Sequence, residues 1–298
     1  MEKDYIVILY YKYIPLEKPE VIARAQRTLC ETLGLKGRII FAKEGINGTL
    51  CGEKEAIQNY ISETQKIPEF SNIVFKKSVG HEGTFDKLKI KVRSEIVALN
   101  LTEDIDPNEL TGERLKPEEL KQWIKSGKDF HIVDIRNDYE YVSGHFKGSI
   151  GMPMENFRDL PKVVSKIHDL KDKPVVTVCT GGVRCEKASG FLKREGFQNV
   201  FQLDGGIVTY MEKYPAQDFA GTLYVFDNRI TMDFEKNHEV VGKCKLCQKQ
   251  TENYTNCADA TCHDHFLYCG CELNSSQNGI PFCSDSCRNK IEDIHSGS

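Results

Sequence analysis

The sequence has no long uninterrupted apolar run and no excess of basic residues. The apolar stretch near the start is short and contains Lys12, which argues against a secretory signal or a membrane span. The formal net charge is −4, so a uniformly basic nucleic-acid binder is excluded, although one basic face is not. We therefore expect a cytoplasmic protein without membrane association.

Internal repeats and low-complexity segments are also absent. Hydrophobic residues make up 40% of the chain and charged residues 28%, as in ordinary globular proteins. Because 298 residues exceed what one small core usually organises, the length predicts two or three domains. No flavin, haem or two-histidine-one-carboxylate signature is present.

The pattern of apolar residues indicates an α/β multidomain protein. Residues 5–95 follow the order strand, helix, strand, strand, helix, strand, which predicts an N-terminal ferredoxin-like (βαββαβ) domain over residues 1–98, with one extra strand. We expect the turn between its middle strands at Gly45, Asn47 and Gly48, where positive φ would be needed.

Two further regions follow a polar segment. In residues 99–116 the apolar residues follow neither the helical nor the strand period, which predicts a linker. Over residues 117–218 short apolar runs alternate with helices, which is typical of a doubly wound α/β domain whose parallel strands are covered on both faces. Residues 219–298 contain a small cysteine-rich region.

A reactive cysteine is predicted at the end of a buried strand. Cys179 follows the β-branched run Val175–Val178, and active sites of open parallel sheets lie beyond the carboxyl ends of strands. A helix is expected to begin near Glu186, so its dipole, the loop amides and a basic side chain would favour the thiolate. The loop consists of Thr180, Gly181, Gly182, Val183 and Arg184.

Two alternatives apply to this loop. Free cysteines at strand ends are often structural and buried. Cysteine phosphatases build a related cradle with five residues between the cysteine and the arginine, whereas four separate Cys179 from Arg184. The narrower ring of amides suits a terminal sulfur better than a phosphate group.

Several segments resemble known families. HIVDIRNDYEYVSGHFKGS, VTVCTGGVRCEKASGFLKREGF and QLDGG are similar to the rhodanese homology domain over about residues 115–215. The CTGGVRCEKAS form, the GINGTL segment before it and the cysteine-rich tail resemble the bacterial tRNA uridine(34) hydroxylase family, nearly from end to end.

This resemblance implies an oxygen-dependent oxidoreductase that hydroxylates carbon 5 of the wobble uridine of tRNA, with Cys179 as the active-site residue. It implies tRNA as the partner and molecular oxygen as the co-substrate. A persulfide sulfurtransferase acting on tRNA or a small acceptor is the alternative enzyme, and a non-catalytic binding module is the alternative outside enzymology. The electron donor, the tRNA set and the oligomeric state are not indicated.

Other residues near the cysteine loop are expected to support its structure. In rhodanese-like domains the pair equivalent to Asp134 and Arg136 braces the sheet edge near the active loop, and we interpret it as structural. Glu140 and His145 are interpreted in the same way. Cys185 either resolves an oxidised Cys179 or packs in the first helical turn.

A candidate RNA face lies at the end of the first domain. Alternating residues of one strand share a face, so their charges would align along a phosphate backbone. A solvated sheet face is the alternative, and tyrosines of the first strand, Tyr10, Tyr11 and Tyr13, would either stack on bases or enter the core. The basic residues are Lys87, Lys89, Lys91 and Arg93, preceded by Lys76 and Lys77.

The cysteine-rich tail predicts up to two structural zinc ions, because closely spaced thiolates suit tetrahedral zinc. The spacing does not show which cysteines share an ion, and interleaved pairs would link the two halves of the region. Cys269 and Cys271 are closer together than is usual for the family, so His263 and His265 are alternative ligands. The predicted ligands are Cys244, Cys247, Cys257, Cys262, Cys269, Cys271, Cys283 and Cys287.

Overall fold

The computed structural model describes residues 4–273, 276 and 279–296, and for residues 292–296 the backbone alone. The outer limits predicted for the first and third domains, residues 1 and 298, lie outside these residues. No helix in the described part of the chain is long and apolar enough to cross a membrane.

The first domain is a five-stranded sheet with the strand order β4-β1-β3-β2-β5. Side chains alternate between the two faces of β1, so Ile8 and Tyr10 point into the core that α1 and α2 cover. The opposite face carries no helix of its own and is turned towards the second domain. Its elements are β1 (Tyr5–Tyr13), α1 (Pro19–Thr32), β2 (Lys36–Ala42), β3 (Gly45–Glu53), α2 (Lys54–Gln65), β4 (Lys76–Gly80) and β5 (Leu88–Val92).

The turn predicted at Gly45, Asn47 and Gly48 is wrong. Ala42 pairs with Gly45, so the chain reverses at residues 43–44 and all three predicted turn residues belong to β3. Gly48 is required for packing, since a Cβ there would lie 2.3 Å from the ring of Tyr10. Gly45, the first residue after the turn, does adopt a positive φ of 144°, whereas the glycine at position 48 reflects a close approach of a side chain.

The second domain contains a parallel five-stranded sheet with the order β6-β11-β10-β7-β9. Val176 and Val178 of its central strand point into one core and Val175 into the other, so both faces are buried, as predicted. Its elements are β6 (Glu113–Leu115), α3 (Pro117–Ser126), β7 (His131–Asp134), α4 (Asp138–Tyr141), β8 (Gly144–Phe146), β9 (Ile150–Gly151), α5 (Leu160–Val163), β10 (Pro174–Val178), α6 (Val183–Arg194), β11 (Asn199–Leu203) and α7 (Gly206–Lys213).

Three details of this domain differ from the sequence-based expectation. The last part of the predicted linker forms the edge strand β6, which pairs in parallel with β11. Helix α6 begins at Val183 and not near Glu186, because Gly182 adopts positive φ and ends the loop early. Helix α7 was not predicted, although the glycine pair at its start, with Gly205 as the N-cap and Gly206 as the first residue, marks where it begins.

The third region is built from short elements. One strand, β12, pairs with β8 and so ties this region to the second domain. The ferredoxin-like, doubly wound and cysteine-rich parts together confirm the predicted fold class. The elements are β12 (Phe219–Gly221), β13 (Leu223–Tyr224), β14 (Thr231–Met232), β15 (Tyr254–Asn256), β16 (His265–Leu267) and α8 (Asp285–Ser296).

Candidate functional site

Cys179 lies in a tight loop between β10 and α6. Its side chain is fully buried, and the backbone N–H of Gly182 donates to its Sγ at 3.2 Å. Gly182 has a φ of 101° and forms the N-cap of α6, a conformation that strongly favours glycine. The loop thereby directs backbone donors and a helix N-terminus at one sulfur atom.

A second helix holds the loop from behind. At the start of α7, the N–H of Ile207 donates to the carbonyl oxygen of Cys179 at 2.9 Å, and that of Val208 donates to Thr180 at 3.0 Å. A Cβ on Gly206 would lie 2.6 Å from the nitrogen of Gly182. The QLDGG segment therefore owes its second glycine to close packing against the cysteine loop.

The loop makes Cys179 acidic. Burial acts to raise its pKa, but a hydrogen bond from the Cys185 thiol, the charge of Arg184 and the backbone N–H groups of both residues outweigh burial and lower the pKa from 9.0 to about 6. The pKa of Cys185 is raised by burial and by the adjacent Cys179 sulfur. At neutral pH the pair is therefore a Cys179 thiolate beside a protonated Cys185 thiol.

Arg184 is held by a buried carboxylate. Its two terminal nitrogens donate to Glu140 at 2.6 and 2.8 Å, and one of them reaches the hydroxyl of Thr180 at 3.3 Å. This bidentate pair fixes the guanidinium beside the loop. A phosphate would have to compete with Glu140 for the same nitrogens, which weakens the phosphatase alternative.

The Asp134 and Arg136 pair lies beneath this site and is completely buried. The side chain of Arg136 donates to Asp134 at distances of 2.7–3.1 Å and to the carbonyl oxygen of Gly144 at 2.7 Å. Neither residue lines the cleft above Cys179. These contacts link the carboxyl end of β7 to β8.

The first domain contacts the cysteine loop directly. Lys76 donates from its ammonium group to the carbonyl oxygen of Gly181, and the hydroxyl of Tyr13 donates to the carbonyl oxygen of Val183 at 3.2 Å. The hydroxyl of Tyr11 donates to Glu186 at 3.0 Å, whereas Tyr10 is a core residue. The hydroxyls of Tyr11 and Tyr13 are thus used in contacts with the second domain, and the buried ring of Tyr10 is not available for stacking on a base.

A cleft of about 760 Å³ separates the open face of the first sheet from the loop. Cys179, Thr180 and Arg184 line one wall, and Arg38 and Arg93 line the other. A larger groove of about 1290 Å³ elsewhere on the chain does not include Cys179 in its lining. The smaller cleft is thus the one whose chemistry involves the thiolate.

The predicted basic residues extend this cleft along the sheet edge. Lys89 pairs with Arg38 and Lys91 with Ile40 in the parallel register of β5 with β2, so they share the cleft-facing side of the sheet. Lys87, Lys89, Lys91 and Arg93 are all exposed. Lys76 differs, because its ammonium group is used in the cysteine loop.

The eight tail cysteines form two groups of four, and the sulfur atoms within each group lie within 4.8 Å of one another. The groups interleave along the chain, and neither His263 nor His265 belongs to them, so the histidine alternative is wrong for these clusters. Each group could hold one metal ion in the all-thiolate environment that zinc prefers. The groups are Cys244, Cys247, Cys269 and Cys271, and Cys257, Cys262, Cys283 and Cys287.

Fold and loop together define a rhodanese-type cysteine site carried between an acylphosphatase-like domain and a cysteine-rich tail. The chain matches the UPF0176 acylphosphatase-like domain over residues 5–96, the rhodanese-like domain over residues 116–213 and the rhodanase C-terminal family over residues 220–288. Relatives that align over nearly all of this chain and most of their own length are 43–44% identical to it, so the protein belongs to the tRNA uridine(34) hydroxylase family.

Relatives of that name match nearly the entire chain. The tRNA uridine(34) hydroxylase of Onion yellows phytoplasma is 44% identical over 291 residues, covering 96% of this chain and 93% of the relative. That of Bacillus licheniformis is 43% identical over 294 residues, covering 97% and 89%. A solved rhodanese-like domain from Anabaena sp. is 23% identical, with a TM-score of 0.32, and covers 37% of this chain and 80% of that one.

Sequence reasoning missed three contributors to the site. Glu140 was interpreted only as support, yet it is the direct partner of Arg184. The hydrogen bonds from α7 to the loop were not expected, although the QLDGG segment contained the signal. The ammonium of Lys76 reaches Gly181 across 105 residues, and no local pattern indicates such a contact.

Proposed function

We propose that this protein hydroxylates the wobble uridine at position 34 of tRNA at carbon 5, with molecular oxygen as the co-substrate and Cys179 as the active-site residue. The observation that carries the proposal is the position of a stabilised thiolate at the base of a cleft with a basic rim. Near end-to-end similarity to relatives named for this activity supports the reaction. A cytoplasmic location follows from the tRNA substrate, and free thiols at Cys30 and Cys51 are compatible with a reducing compartment.

In this proposal the loop residues keep the sulfur ionised and correctly placed. Thr180, Gly181 and Gly182 supply the backbone of the cradle, and Val183 begins the helix whose N-terminus faces the sulfur. Arg184 contributes its positive charge to the site while it stays paired with Glu140. Cys185 donates to the thiolate, which favours a role in tuning the pKa over a role as a resolving cysteine.

We further propose that Lys87, Lys89, Lys91 and Arg93 bind the phosphate backbone of tRNA. Their exposure and their alignment on the cleft-facing side of the sheet support this role, because phosphate contacts position a nucleic acid without reading its sequence. Such contacts would guide the anticodon loop towards the cleft, where the target base can be reached only after leaving its stack.

The two cysteine groups are proposed to hold one zinc ion each, in a structural role. All four ligand positions of each ion would be filled by protein thiolates, which leaves no open coordination position for chemistry. We propose residues 1–98, 117–218 and 219–298 as the three domains, joined in the first case by residues 99–116. The third would serve to brace the second.

The test is mass spectrometry of tRNA nucleosides from cells that lack the gene and from the same cells supplied with wild-type protein, Cys179→Ser or Cys51→Ser. Cys51 is the control, because it lies in a small apolar cluster of the first domain and its thiol donates to the carbonyl oxygen of His81 at 3.6 Å, away from the cysteine loop. Loss of 5-hydroxyuridine derivatives that wild type and Cys51→Ser restore, and Cys179→Ser does not, is the expected result. Loss of thiolated nucleosides instead would make the protein a sulfurtransferase.

A further inference from the structure

Asn137 carries a buried hydrogen-bond acceptor that no protein group satisfies. Its side chain is 8% exposed and its Oδ1 has no partner among the described residues, yet it lines the cleft that contains Cys179. Arg136, Thr222 and His265 also carry an unpaired buried atom, but none of the three lines this cleft. An unmet acceptor at this position is suited to a ligand, because burying it unpaired is unfavourable.

The position of Asn137 is closely controlled. Its backbone N–H donates to Glu140 at 3.0 Å, and the same carboxylate holds Arg184. Its Nδ2 donates to the hydroxyl of Tyr139 at 2.8 Å, and in this arrangement Oδ1 is the end of the amide that has no partner. The acceptor is therefore rigidly linked to the cysteine loop through one carboxylate.

We infer that Asn137 recognises the base in the cleft, with Oδ1 accepting a hydrogen bond from the N3–H of uracil; this inference rests on the proposed function. Uracil presents N3–H between two carbonyl oxygens, so an amide can accept from N3–H and donate its second Nδ2 hydrogen to a neighbouring carbonyl. Cytosine has a lone pair at N3, which would face Oδ1 and leave both atoms unsatisfied. Asn137 is thus a specificity-determining residue.

A ring beside the amide supports a planar ligand. Phe226 lines the same cleft and is 39% exposed, and the guanidinium groups of Arg38 and Arg184 lie 5.7 and 5.8 Å from the centroid of its ring. Flipped bases are commonly held by stacking on aromatic rings together with hydrogen bonds to their Watson–Crick edge. The cleft thus combines a stacking surface, an edge acceptor and the Cys179 thiolate.

The inference is tested with anticodon stem-loop RNAs that differ only at position 34, carrying uridine, 3-methyluridine or cytidine, in competition binding to the full-length protein. Wild type is expected to prefer uridine over both others by about tenfold, the lower range for one bidentate contact. Asn137→Ala should reduce this preference to less than about twofold, and Asn137→Asp, which retains an acceptor, should preserve part of the preference over 3-methyluridine. Asn156→Ala, which removes an exposed amide from the same cleft, is the control and should behave as wild type.

The outcomes separate this inference from the proposed function. If wild type forms 5-hydroxyuridine in cells and Asn137→Ala retains full base preference, the inference is overturned and the hydroxylase stands. Equal loss of preference in Asn137→Ala and Asn137→Asp would also overturn it, because the acceptor would then be irrelevant. If wild-type cells lack 5-hydroxyuridine but the binding preference depends on Asn137, the base site stands and the reaction is wrong. Thermal melting of each variant establishes that it is folded.

Discussion

Glu140 accepts hydrogen bonds from the guanidinium of Arg184 with both carboxylate oxygens, and Glu140 is completely buried. The loop that follows Cys179 is therefore anchored to α4, which belongs to a different segment of the second domain. Arg184 supplies a positive charge at a fixed position, because both terminal nitrogens of its guanidinium already donate to Glu140. Substrate contacts must come from other groups in the cleft.

Breaking this pair should destabilise the fold strongly. Glu140→Gln leaves the buried Arg184 charge without its partner, and we expect a loss of about 3–5 kcal/mol in the free energy of unfolding, measured by urea denaturation. The control is Asp129→Asn, which breaks an exposed pair with Lys173 at 3.2 Å and should cost no more than about 1 kcal/mol. Equal losses in the two variants would contradict the anchoring role.

The reactivity of Cys179 should follow a thiolate with a pKa of about 6. Deprotonation proceeds as the pH rises, so alkylation should be slow well below pH 6, increase through it and reach a plateau near neutrality. Cys185→Ala removes the hydrogen bond to the thiolate and should move the midpoint to higher pH. Peptide mass spectrometry after timed alkylation identifies the site.

The control for this measurement is Cys51 in the same samples. Burial raises the pKa of Cys51, so its alkylation should still be increasing where that of Cys179 has levelled off. A common midpoint for the two cysteines would mean that the loop does not stabilise the thiolate.

The loop could be predicted from sequence because its parts are contiguous. Cys179, the two glycines and Arg184 lie within six consecutive residues, so local spacing contained the geometry. The partners of the loop were harder to predict from sequence, because the contacts of Lys76 and Glu140 with the loop arise from tertiary packing between distant segments. Asn137 gave no local signal, since an unsatisfied atom can be recognised only when its surroundings are known.

Glycine illustrates the same limit in the first domain. Gly45 and Gly48 resemble turn residues, but Gly48 is small because the ring of Tyr10 occupies the space of a side chain. A turn and a close approach of a ring both select glycine, and the sequence cannot separate them. The turn itself uses Lys43 and Glu44, which carry no turn signature.

The basic sheet edge should bind tRNA through phosphates. Replacing Lys89, Lys91 and Arg93 together by Glu should abolish binding in a filter assay at moderate salt. Wild-type affinity should fall linearly with the logarithm of salt concentration, and neutral Gln replacements should reduce that slope by about 2 to 3, roughly one for each phosphate that is no longer neutralised.

A matched charge reversal is available on the helical side of the same domain. Arg24 on α1, Lys54 on α2 and Lys66 directly after α2 are exposed, and these helices cover the opposite face of the sheet. Their joint replacement by Glu changes the net charge equally and should leave most of the affinity intact. Similar losses in both triple variants would point to a general charge effect and remove the proposed face.

Metal content should reveal the interleaved grouping of the cysteines. Cys247→Ser with Cys271→Ser removes two ligands from one group, so about one of the two expected zinc ions should remain in the purified protein. Cys247→Ser with Cys257→Ser damages both groups and should leave less zinc. Elemental analysis distinguishes the two pairs, and wild-type protein without zinc would refute the metal assignment altogether.

We expect the ion pairs of Lys187 to hold the first two domains together. Its ammonium is fully buried and contacts Glu44 at 2.8 Å, Glu95 at 2.7 Å and Asp104 at 2.9 Å. Burial acts to lower its pKa, but the hydrogen bonds to these carboxylates outweigh burial and raise it. Lys187→Met leaves the carboxylates facing each other, and we expect a loss of about 2–4 kcal/mol, less than for a fully buried pair because the acids are partly exposed.

Because the pKa of Lys187 is raised in the folded state, its stabilising contribution is complete below the unfolded value of about 10.4 and is lost only as the pH rises through the folded value. The difference between wild type and Lys187→Met in urea denaturation should therefore stay constant from neutral pH to about pH 9. Lys193→Met, an exposed change on the same helix, is the control and should cost little. The linker at residues 99–116 should also become more sensitive to limited proteolysis in Lys187→Met, because Glu95 and Asp104, which flank its start, lose the charge that holds them against α6. Unchanged cleavage together with unchanged stability would show that the two domains are held by other contacts.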